Sequence, residues 1–518
     1  MLQAVVIGAG PGGIACTKEL IENGVDDVLC LEQSRSLGGV FITGYDDLLL
    51  TSSVPFSMFS DFWVGDGKGH HFWSKEEAVA YWQAYADHFG VTPRIRFDAR
   101  VSSVAQAGDG HWDVTLASGE VIATKHLALA TGNNSVPRFP GWRDALTAVG
   151  VHHSRDYKNA AAFEGKRVLV VGGGESASDV ALQVSKVAAR CWVSLREATG
   201  WVMPRKRGPY AADISTHRGV WNLPREFGET LSNVILQLER KRNDPVSDVL
   251  ADLNSRLPNP KGIWGTYGTK TLALPEAIVH HGCGLVGDVR EVRDGGRTLV
   301  TADGEELGGI DAVVFCTGYV NRVPFLPDGL QDCDPRSLYK HMFHSGTGPT
   351  LAFIGWARPG FGSQFPIMEM QSRLCARVFT GQHRLPGPAD MDRAAAADEA
   401  AFIDQFGNTA QHLRSLVDYF RYMDDLAGII GCQPPLWRYF FTHPKLWRHI
   451  VYGPAQATQF RLRGPGKKVA LAQGILHKLP ISKLNHIVKA GLRARLRYGV
   501  RLPFGIKPAI RTVHSVGR

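Results

Sequence analysis

The stretches Gly8-Ala9-Gly10-Pro11-Gly12-Gly13 and Gly172-Gly173-Gly174-Glu175-Ser176-Ala177 decide the fold of this chain. Each follows an apolar run typical of a buried strand, and each opens a helix-like pattern. A turn without side chains lets backbone N–H groups and the positive end of a helix dipole approach a pyrophosphate. A single match is weak evidence, but here each copy carries its own strand, helix and second strand. The sequence therefore predicts two Rossmann-like units that hold two dinucleotides.

The first unit is predicted to bind FAD. It consists of a strand over 3–7, a helix over 11–23 and a second strand that ends at Glu32. A carboxylate at that position accepts hydrogen bonds from ribose hydroxyls and repels a 2′-phosphate, so FAD or NAD fits better than NADP. The predicted FAD contacts in this unit are Gly8, Gly10, Pro11, Gly12, Gly13 and Glu32.

The second unit is predicted to bind NADPH. Its second strand, 191–195, is followed by Arg196 instead of an acid, and Arg205, Lys206 and Arg207 come soon after. Cations at this position favour a 2′-phosphate. The predicted NADPH contacts are Gly172, Gly174, Glu175, Ser176, Ala177 and Arg196.

Two further segments, 127–132 and 312–319, each read as a buried strand that ends in Thr-Gly. Such a strand end lets the backbone approach a cofactor or cross between domains. The predicted contacts there are Thr131, Gly132, Thr317, Gly318 and Tyr319. Because the two segments bracket the second unit, we expect an α/β fold in which one Rossmann-like domain is inserted into another. The expected parts are an FAD domain (1–165 and 311–473), an inserted NADPH domain (166–310) and a tail (474–518).

Composition places the chain among large globular proteins. Its 518 residues are too many for one hydrophobic core, so at least two domains are expected. The proportions of hydrophobic residues (44%) and charged residues (21%) are ordinary for a folded protein. The eight cysteines form no Cys-x-x-Cys pair, which argues against a zinc site and against a dithiol reductase. We predict no metal site. The chain begins directly with the first strand, so we expect no secretory signal and a reducing, cytoplasmic location.

Charge is distributed unevenly along the chain. Residues 1–425 carry 41 basic and 49 acidic side chains, whereas residues 426–518 carry 17 Lys or Arg and no acid. Between 481 and 496, apolar residues recur at roughly helical spacing among lysines and arginines. We expect this tail either to lie on an anionic membrane surface or to pack on the acidic body of its own or a neighbouring subunit in a homo-oligomer. Nucleic-acid binding is not predicted, because no recognition module accompanies the charge.

Several more motifs follow one another from residue 3 to about 473. Among them are Gly38-Gly39-Val40-Phe41, Phe59-Ser60-Asp61-Phe62, His153-Ser154-Arg155-Asp156-Tyr157-Lys158, Leu351-Ala352-Phe353-Ile354-Gly355 and Arg461-Leu462-Arg463-Gly464-Pro465-Gly466. With these motifs the chain resembles the flavin-containing monooxygenases, class B flavoproteins with an FAD domain and a smaller inserted NADPH domain. The resemblance adds Gly39, Val40 and Phe41 to the predicted FAD contacts. Some vertebrate members of that family are membrane-bound through their C-termini.

The resemblance implies a reaction. NADPH reduces FAD, O2 adds to the reduced flavin at C4a, and a soft nucleophile takes the distal oxygen of the hydroperoxyflavin. The protein holds the nicotinamide against the flavin and excludes water. We therefore predict an NADPH- and FAD-dependent monooxygenase that oxygenates nitrogen or sulfur in a small, fairly apolar molecule such as an amine or a thioether.

One departure from the family concerns oxygen handling. Many members place an asparagine after the first domain's loop, where it helps to hold the oxygenated flavin, but residues 50–61 contain none. We predict that a hydroxyl of Thr51, Ser52 or Ser53 replaces it. Asp61 is expected either to brace this loop or to act near the flavin.

Two alternative functions stay open at this point. The first is an uncoupled NADPH oxidase that releases hydrogen peroxide, which the missing asparagine favours. The second is a Baeyer–Villiger monooxygenase that acts on ketones. Tyr157 argues against the second, because that family usually carries tryptophan at the corresponding position. His153 and Tyr157 are expected to order the linker between the domains.

Overall fold

The computed structural model describes residues 1–65, 71–196, 199–221, 227–240, 242–257, 261–407 and 413–481. Its strands are β1 (Leu2–Ile7), β2 (Val28–Leu31), β3 (Ile95–Arg96), β4 (Val101–Gln106), β5 (Trp112–Leu116), β6 (Val121–Leu129), β7 (Val136–Pro137), β8 (Gly150–His153), β9 (Arg167–Val171), β10 (Arg190–Ser194), β11 (Trp201–Val202), β12 (Lys206–Arg207), β13 (Tyr210–Ala211), β14 (Gly268–Thr269), β15 (Gly284–Val286), β16 (Val289–Arg293), β17 (Thr298–Thr301), β18 (Glu306–Gly308), β19 (Ala312–Phe315), β20 (Tyr319–Val320), β21 (Leu351–Phe353), β22 (Arg358–Pro359) and β23 (Leu416–Val417). Its helices are α1 (Pro11–Glu22), α2 (Val54–Ser57), α3 (Lys75–His88), α4 (Glu175–Ser185), α5 (Arg218–Trp221), α6 (Phe227–Arg240), α7 (Pro245–Ser255), α8 (Ala273–His281), α9 (Gln364–Phe379), α10 (Pro388–Phe406), α11 (Tyr419–Ile430), α12 (Leu436–Thr442), α13 (Pro444–Tyr452) and α14 (Val469–Lys478).

The first sheet is built around the first glycine unit. Strands β3, β2, β1 and β6 are parallel neighbours in that order. The last four residues of β1 are buried, as expected for a central parallel strand covered on both faces. On its other side, β6 pairs with antiparallel β5 along its first half and with parallel β21 along its second half. Helices α1 and α9 pack against each other, so the chain after residue 351 rejoins this domain.

The second sheet repeats the arrangement of the first. Strands β15, β10, β9, β19 and β8 are all parallel. Helix α4 connects β9 to β10 as α1 connects β1 to β2, and α4 packs against α8. An antiparallel ribbon, β16 to β18, precedes β19 much as β4 and β5 precede β6. These two sheets confirm the predicted α/β fold with two Rossmann-like domains.

The second sheet extends beyond the predicted 166–310 range at both ends. Strand β19, which follows that range, lies between β9 and β8, and β8 precedes the range. Because β19 pairs with β9 on one side and with β8 on the other, both β8 and β19 belong to the second sheet. The two chain crossings between the sheets lie side by side, because β7 pairs with β20.

The C-terminal part of the described chain is helical. Among the helices of the described ranges, none is long and apolar enough to cross a membrane. Helix α14 ends at Lys478, and the predicted basic amphipathic segment of the tail lies outside the described residues from 482 onwards.

Candidate cofactor and active site

The first glycine turn brings two backbone segments together at the carboxyl edge of the first sheet. Gly8 has φ +103°, and a Cβ there would lie 2.6 Å from the carbonyl oxygen of Ala130. A Cβ on Gly13 would lie 1.8 Å from the carbonyl oxygen of Gly8, so neither position accepts another residue without a backbone shift. The turn after β1 therefore meets the end of β6, where the predicted contacts Thr131 and Gly132 follow. This is the edge at which such sheets bind dinucleotides.

The predicted loop of Gly39, Val40 and Phe41 borders the same turn. A Cβ on Gly10 would lie 3.6 Å from the Cα of Gly39. The Phe41 ring packs on Trp82 with centroids 4.9 Å apart, whereas the side chain of Val40 is exposed. The structure thus places this loop against the start of α1, at Pro11.

Buried polar atoms at this edge fit a bound FAD. Glu32 follows β2 and is buried; its Oε2 accepts a hydrogen bond from the N–H of Ala9 at 2.8 Å, and its Oε1 accepts one from the N–H of Ser34 at 2.9 Å. Within the described residues, Oγ1 of Thr131 and Oδ1 of Asn133 are buried without a hydrogen-bond partner. Since buried polar atoms are normally paired, these two mark a place for a polar ligand.

The second glycine turn has the same geometry as the first. Gly172 has φ +135°, and a Cβ there would lie 2.5 Å from the carbonyl oxygen of Cys316, just after β19. A Cβ on Gly173 would lie 3.2 Å from Cγ2 of Thr199, whose buried hydroxyl has no partner in the part of the chain that the structure describes. Both features fit a nucleotide phosphate at this turn. The remaining predicted contacts lie at the start of α4: Gly174, Glu175, Ser176 and Ala177.

The cations predicted for the 2′-phosphate occupy different environments. Arg196 is exposed and lies two residues after the end of β10. Arg205 lies 3.5 Å from Asp179, and Arg207 lies 3.0 Å from the buried Glu239. Two of the predicted cations, Arg205 and Arg207, are thus paired with carboxylates, whereas Arg196 and Lys206 are both exposed. Of these two, Arg196 lies at the end of the second strand of the unit, the position at which a 2′-phosphate is recognised.

Replacing Arg196 with Ala is expected to raise KM for NADPH roughly 10- to 100-fold, the equivalent of one charge-assisted hydrogen bond. KM for NADH is expected to stay unchanged, because NADH lacks the phosphate. Steady-state kinetics with both nucleotides measure this. Lys186→Ala, an exposed cation at the far end of α4, is the matched control. Equal changes in both KM values would show that Arg196 does not bind the phosphate.

The predicted contacts after β19 order the crossing between the domains. The hydroxyl of Thr317 donates to the carbonyl oxygen of Arg138 at 2.5 Å, and Nε2 of His153 lies 3.2 Å from the carbonyl oxygen of Gly318. Tyr319 lies in β20, which pairs with β7. Burial lowers the pKa of His153, so its ring is neutral near pH 7 and serves as a hydrogen-bonding group. Cofactor contacts from these three residues stay a prediction.

The three candidate hydroxyls are not equivalent. The N–H and hydroxyl of Ser53 both donate to the carboxylate of Asp213, each at 2.7 Å. The hydroxyl of Ser52 lies 3.2 Å from that of Ser363. Thr51 is half-buried, and its hydroxyl makes no hydrogen bond within the described ranges. Ser52 and Ser53 are therefore used to hold the loop, and Thr51 keeps a donor for a ligand.

Sequence reasoning missed Asp213 and Lys270, which lie in the loop-rich part of the second domain. The ammonium of Lys270 is buried and donates to the carbonyl oxygen of Gly362 at 3.0 Å. Its backbone N–H donates to Oε1 of Glu175 at 3.2 Å. Burial lowers the pKa of Lys270. No local pattern marks either residue, because their partners come from distant parts of the chain.

Asp61 lies in a buried ion cluster that joins α1 to the segment 461–468. Its Oδ2 lies 2.5 Å from Nζ of Lys18, 2.7 Å from Nζ of Lys468 and 3.3 Å from the guanidinium of Arg461. Burial acts to raise the pKa of Asp61, but Arg461 and the two lysines together hold it below its usual range. These contacts favour the first of the two roles predicted for Asp61, which is to brace its loop, over a role near the flavin.

The same cluster brings three carboxylates within metal-ligand distance of one another. Oxygens of Glu19, Glu22 and Asp61 all lie within 4.8 Å. The ammonium of Lys18 lies 3.0, 2.6 and 2.5 Å from them, respectively. The ammonium of Lys18 thus lies where it balances the negative charge of these carboxylates.

Comparison with known proteins identifies the family. The model of the flavin-binding monooxygenase-like family matches residues 2–490. A 4-hydroxybenzoate brominase (decarboxylating) of Pseudoalteromonas luteoviolacea is 34% identical over 489 residues, which cover 92% of each chain. Flavin-containing monooxygenase 5 of Rattus norvegicus is 30% identical over 505 residues, which cover 92% of this chain and 91% of that protein.

Solved structures share the fold. S-allyl-L-cysteine S-oxygenase from Allium sativum has a TM-score of 0.60 at 19% identity and covers 95% of this chain and 98% of its own. Cyclohexanone monooxygenase from Rhodococcus sp. Phi1 bound to NADP+ has a TM-score of 0.61 at 19% identity and covers 83% of this chain and 97% of its own. The family model and the curated relatives confirm the predicted enzyme class and the cofactor pair FAD and NADPH. The chain belongs to the flavin-binding monooxygenase-like family and is a flavin-dependent monooxygenase.

Proposed function

We propose that the protein transfers one oxygen atom from O2 to nitrogen or sulfur of a small, fairly apolar molecule, with NADPH as reductant. O2, NADPH, a proton and the substrate give the oxygenated product, NADP+ and water. The observation that carries the proposal is the pair of equivalent glycine turns in one chain, with Glu32 beside the first and Arg196 beside the second. Bound FAD supplies the activation of O2, which no side chain provides.

The loop 51–53 is the part of the chain that we assign to the reacting oxygen. Ser52 contacts Ser363, the residue that precedes α9. The first turns of α9 border the FAD turn: Gln364 donates to the carbonyl oxygen of Gly355 at 3.0 Å, and a Cβ on Gly12 would lie 3.6 Å from Sδ of Met368. The loop is thus held, through Ser52 and Ser363, against the start of a helix that borders the first glycine turn, and this supports assigning the hydroxyl of Thr51 to the reacting oxygen.

Replacing Thr51 with Ala is expected to increase the fraction of NADPH that ends as hydrogen peroxide about fivefold, because one hydrogen bond of about 1 kcal/mol is lost. Peroxide and NADPH consumption, measured together in the presence of substrate, give this fraction. Thr51→Ser keeps the hydroxyl and is expected to behave as the unaltered enzyme does. Identical peroxide yields from the Ala and Ser variants would remove Thr51 from this role.

A second candidate is halogenation, favoured by the relatives. Two of them, 34% and 33% identical, are decarboxylating 4-hydroxybenzoate brominases. In that case bromide takes the oxygen atom in place of an amine, and the activated bromine then replaces the carboxyl group of the phenol as CO2 leaves. The buried ammonium of Lys270 supplies a positive charge near the same loop, since its neighbour Gly362 adjoins Ser363.

The test incubates the purified holoenzyme with NADPH and isotopically labelled O2. Separate reactions contain a tertiary amine, a thioether, a cyclic ketone, or bromide with 4-hydroxybenzoate. A labelled N-oxide or sulfoxide supports the proposal, and a bromophenol as the main product supports the second candidate. A labelled ester or lactone would assign the enzyme to Baeyer–Villiger chemistry instead. Peroxide equal to NADPH in every reaction would identify an oxidase. Each result excludes the first proposal or sustains it.

A further inference from the structure

Three polar side chains of the second domain form hydrogen bonds to the FAD domain. We call the three hydrogen-bonded pairs the interdomain seam: Tyr45 with Asp179, Ser53 with Asp213, and Gly362 with Lys270. The partners lie 134, 160 and 92 residues apart in the sequence, so the folding of both domains brings them together.

The hydrogen bonds of the interdomain seam are shielded from water. The side chains of Ser53, Asp213 and Lys270 are buried. The hydroxyl of Tyr45 donates to Oδ2 of Asp179 at 2.7 Å. Burial and the neighbouring carboxylate raise the pKa of Tyr45, so its hydroxyl keeps the proton that it donates. Hydrogen bonds to charged groups are roughly twice as strong as neutral ones, so these contacts resist separation of the domains.

The interdomain seam is connected to the NADPH turn through the start of α4. Glu175 is the first residue of α4, and Asp179 follows one turn later on the same face. Oε1 of Glu175 accepts the N–H of Lys270 at 3.2 Å, and its Oε2 lies 4.0 Å from the guanidinium of Arg358 in the FAD domain. A shift of the interdomain seam would therefore move the helix that begins at the second glycine turn.

The interdomain seam is also connected to the FAD turn. Gly362 lies two residues before α9. In α9, Sδ of Met368 would lie 3.6 Å from a Cβ on Gly12, which belongs to the first glycine turn. Ser53 lies in the loop 51–53 that we assign to the reacting oxygen. The same three pairs thus contact elements that border both cofactor turns.

The chain crossings leave the angle between the domains weakly specified. Strands β7 and β20, which carry the two crossings, are only two residues long. Domains joined by a small or polar interface move relative to each other by default. Contacts near both glycine turns limit such motion where the two cofactor sites must meet.

We propose that three side chains of the interdomain seam, Asp179, Asp213 and Lys270, are positioning residues that set the orientation of the NADPH site relative to the FAD site for flavin reduction. In this step NADPH passes one hydride to the flavin and leaves as NADP+, so the two rings must be held in contact. The three side chains act through the backbone around the two turns. The proposal rests on NADPH as the reductant, as the proposed function does, and is independent of the substrate that is oxygenated afterwards.

Anaerobic stopped-flow reduction of the full-length holoenzyme tests the proposal. The double variant Tyr45→Phe/Lys270→Met removes one hydroxyl and one ammonium and keeps the volume of both side chains nearly constant. At saturating NADPH its flavin is expected to be reduced at least about tenfold more slowly, because a displacement of about 1 Å at a reacting centre can cost about 100-fold. The Kd for NADP+, measured by calorimetry, is expected to stay within about twofold, since neither residue is a predicted nucleotide contact.

Flavin absorbance gives a readout that does not depend on turnover. A nicotinamide stacked on a reduced flavin produces a broad charge-transfer band at long wavelength. We expect this band to be weaker in the double variant at saturating NADP+, because the two rings no longer stack in the same orientation. A role of the interdomain seam in stability alone would not change the band.

Tyr81→Phe is the matched control. The hydroxyl of Tyr81 is buried within the FAD domain and donates to the carbonyl oxygen of Phe62 at 2.8 Å. Its removal is expected to leave the reduction rate and the charge-transfer band unchanged. If the double variant purifies without FAD, Tyr45→Phe alone is used, and loss of one hydrogen bond is expected to slow its reduction about threefold to tenfold.

Two results would overturn the proposal. One is a reduction rate and a charge-transfer band equal to those of the unaltered enzyme. The other is a slow reduction that is matched by an equal loss of NADP+ affinity, which would make these residues binding groups. Because reduction is measured before O2 and substrate are added, failure to form an N-oxide or a sulfoxide would overturn the proposed function without affecting this result.

Discussion

Replacing Arg461 with Met is expected to lower the free energy of unfolding by about 3–5 kcal/mol, the range for removing one partner of a buried ion pair. The Arg461 guanidinium is buried and lies 2.5 Å from Glu19, 2.9 Å from Glu369 and 3.3 Å from Asp61. It also donates to the hydroxyl of Ser60 at 2.8 Å. Without it, three buried carboxylates share too few cations, and desolvation makes unbalanced charge costly. Because domains of this kind are only marginally stable, the variant is expected to be largely unfolded at moderate temperature.

Urea denaturation followed by circular dichroism measures the loss. Arg463→Met is the matched control, because Arg463 is exposed only two residues away, and its unfolding free energy is expected to change by less than about 0.5 kcal/mol. Equal stability of the two variants would mean that the cluster does not hold the C-terminal segment on α1.

The pH dependence of the same measurement has a definite sign. Burial opposes ionisation of Glu19, but Arg461 and Lys18 lower its pKa from the usual value of 4.5 to about 2. Its contribution to stability is thus fully present above about pH 4.5 and is lost as the pH falls towards 2. In Arg461→Met, the acid transition is expected to begin at a higher pH, because Glu19 takes up a proton more readily.

Gly8→Ala and Gly172→Ala are expected to remove the two cofactors separately. Both positions have positive φ, and in both a Cβ would overlap a backbone carbonyl oxygen, that of Ala130 or Cys316. Strain at such a site is about 1–3 kcal/mol, and the turn must shift in addition, so affinity for the nucleotide is expected to fall roughly 10- to 100-fold or more. Gly8→Ala is expected to purify without the flavin absorbance. Gly172→Ala is expected to keep its flavin but to be reduced slowly by NADPH in a stopped-flow experiment.

Matched variants distinguish the effect of overlap between the Cβ and a carbonyl oxygen from the effect of backbone strain alone. Gly24 and Gly165 have φ +86° and +67°, and a Cβ at either one would meet nothing within 4 Å. Their Ala variants carry the same kind of φ strain without the carbonyl overlap, and both are expected to retain both cofactors. Loss of NADPH reduction together with loss of FAD in Gly172→Ala would contradict independent sites.

The sequence by itself determined the local units and their ligands. Each unit consists of a glycine turn, its flanking strands and one charged residue, Glu32 or Arg196, all within about 30 positions of one another. The local pattern of apolar residues, glycines and charge therefore specifies each unit. The family resemblance rests on the same local motifs. The helix predicted over 11–23 differs from α1 by one residue at its C-terminal end.

Only the tertiary structure decided how distant segments complete these units. The pairing of β19 with both β8 and β9 set the extent of the second sheet. Contact between Ser53 and Asp213, 160 residues apart, left Thr51 as the available hydroxyl, and Arg461 drew Asp61 into an ion cluster. Such contacts form because a buried polar or charged group must find a partner. The identity of that partner depends on how the domains pack, and a local sequence pattern does not contain this information.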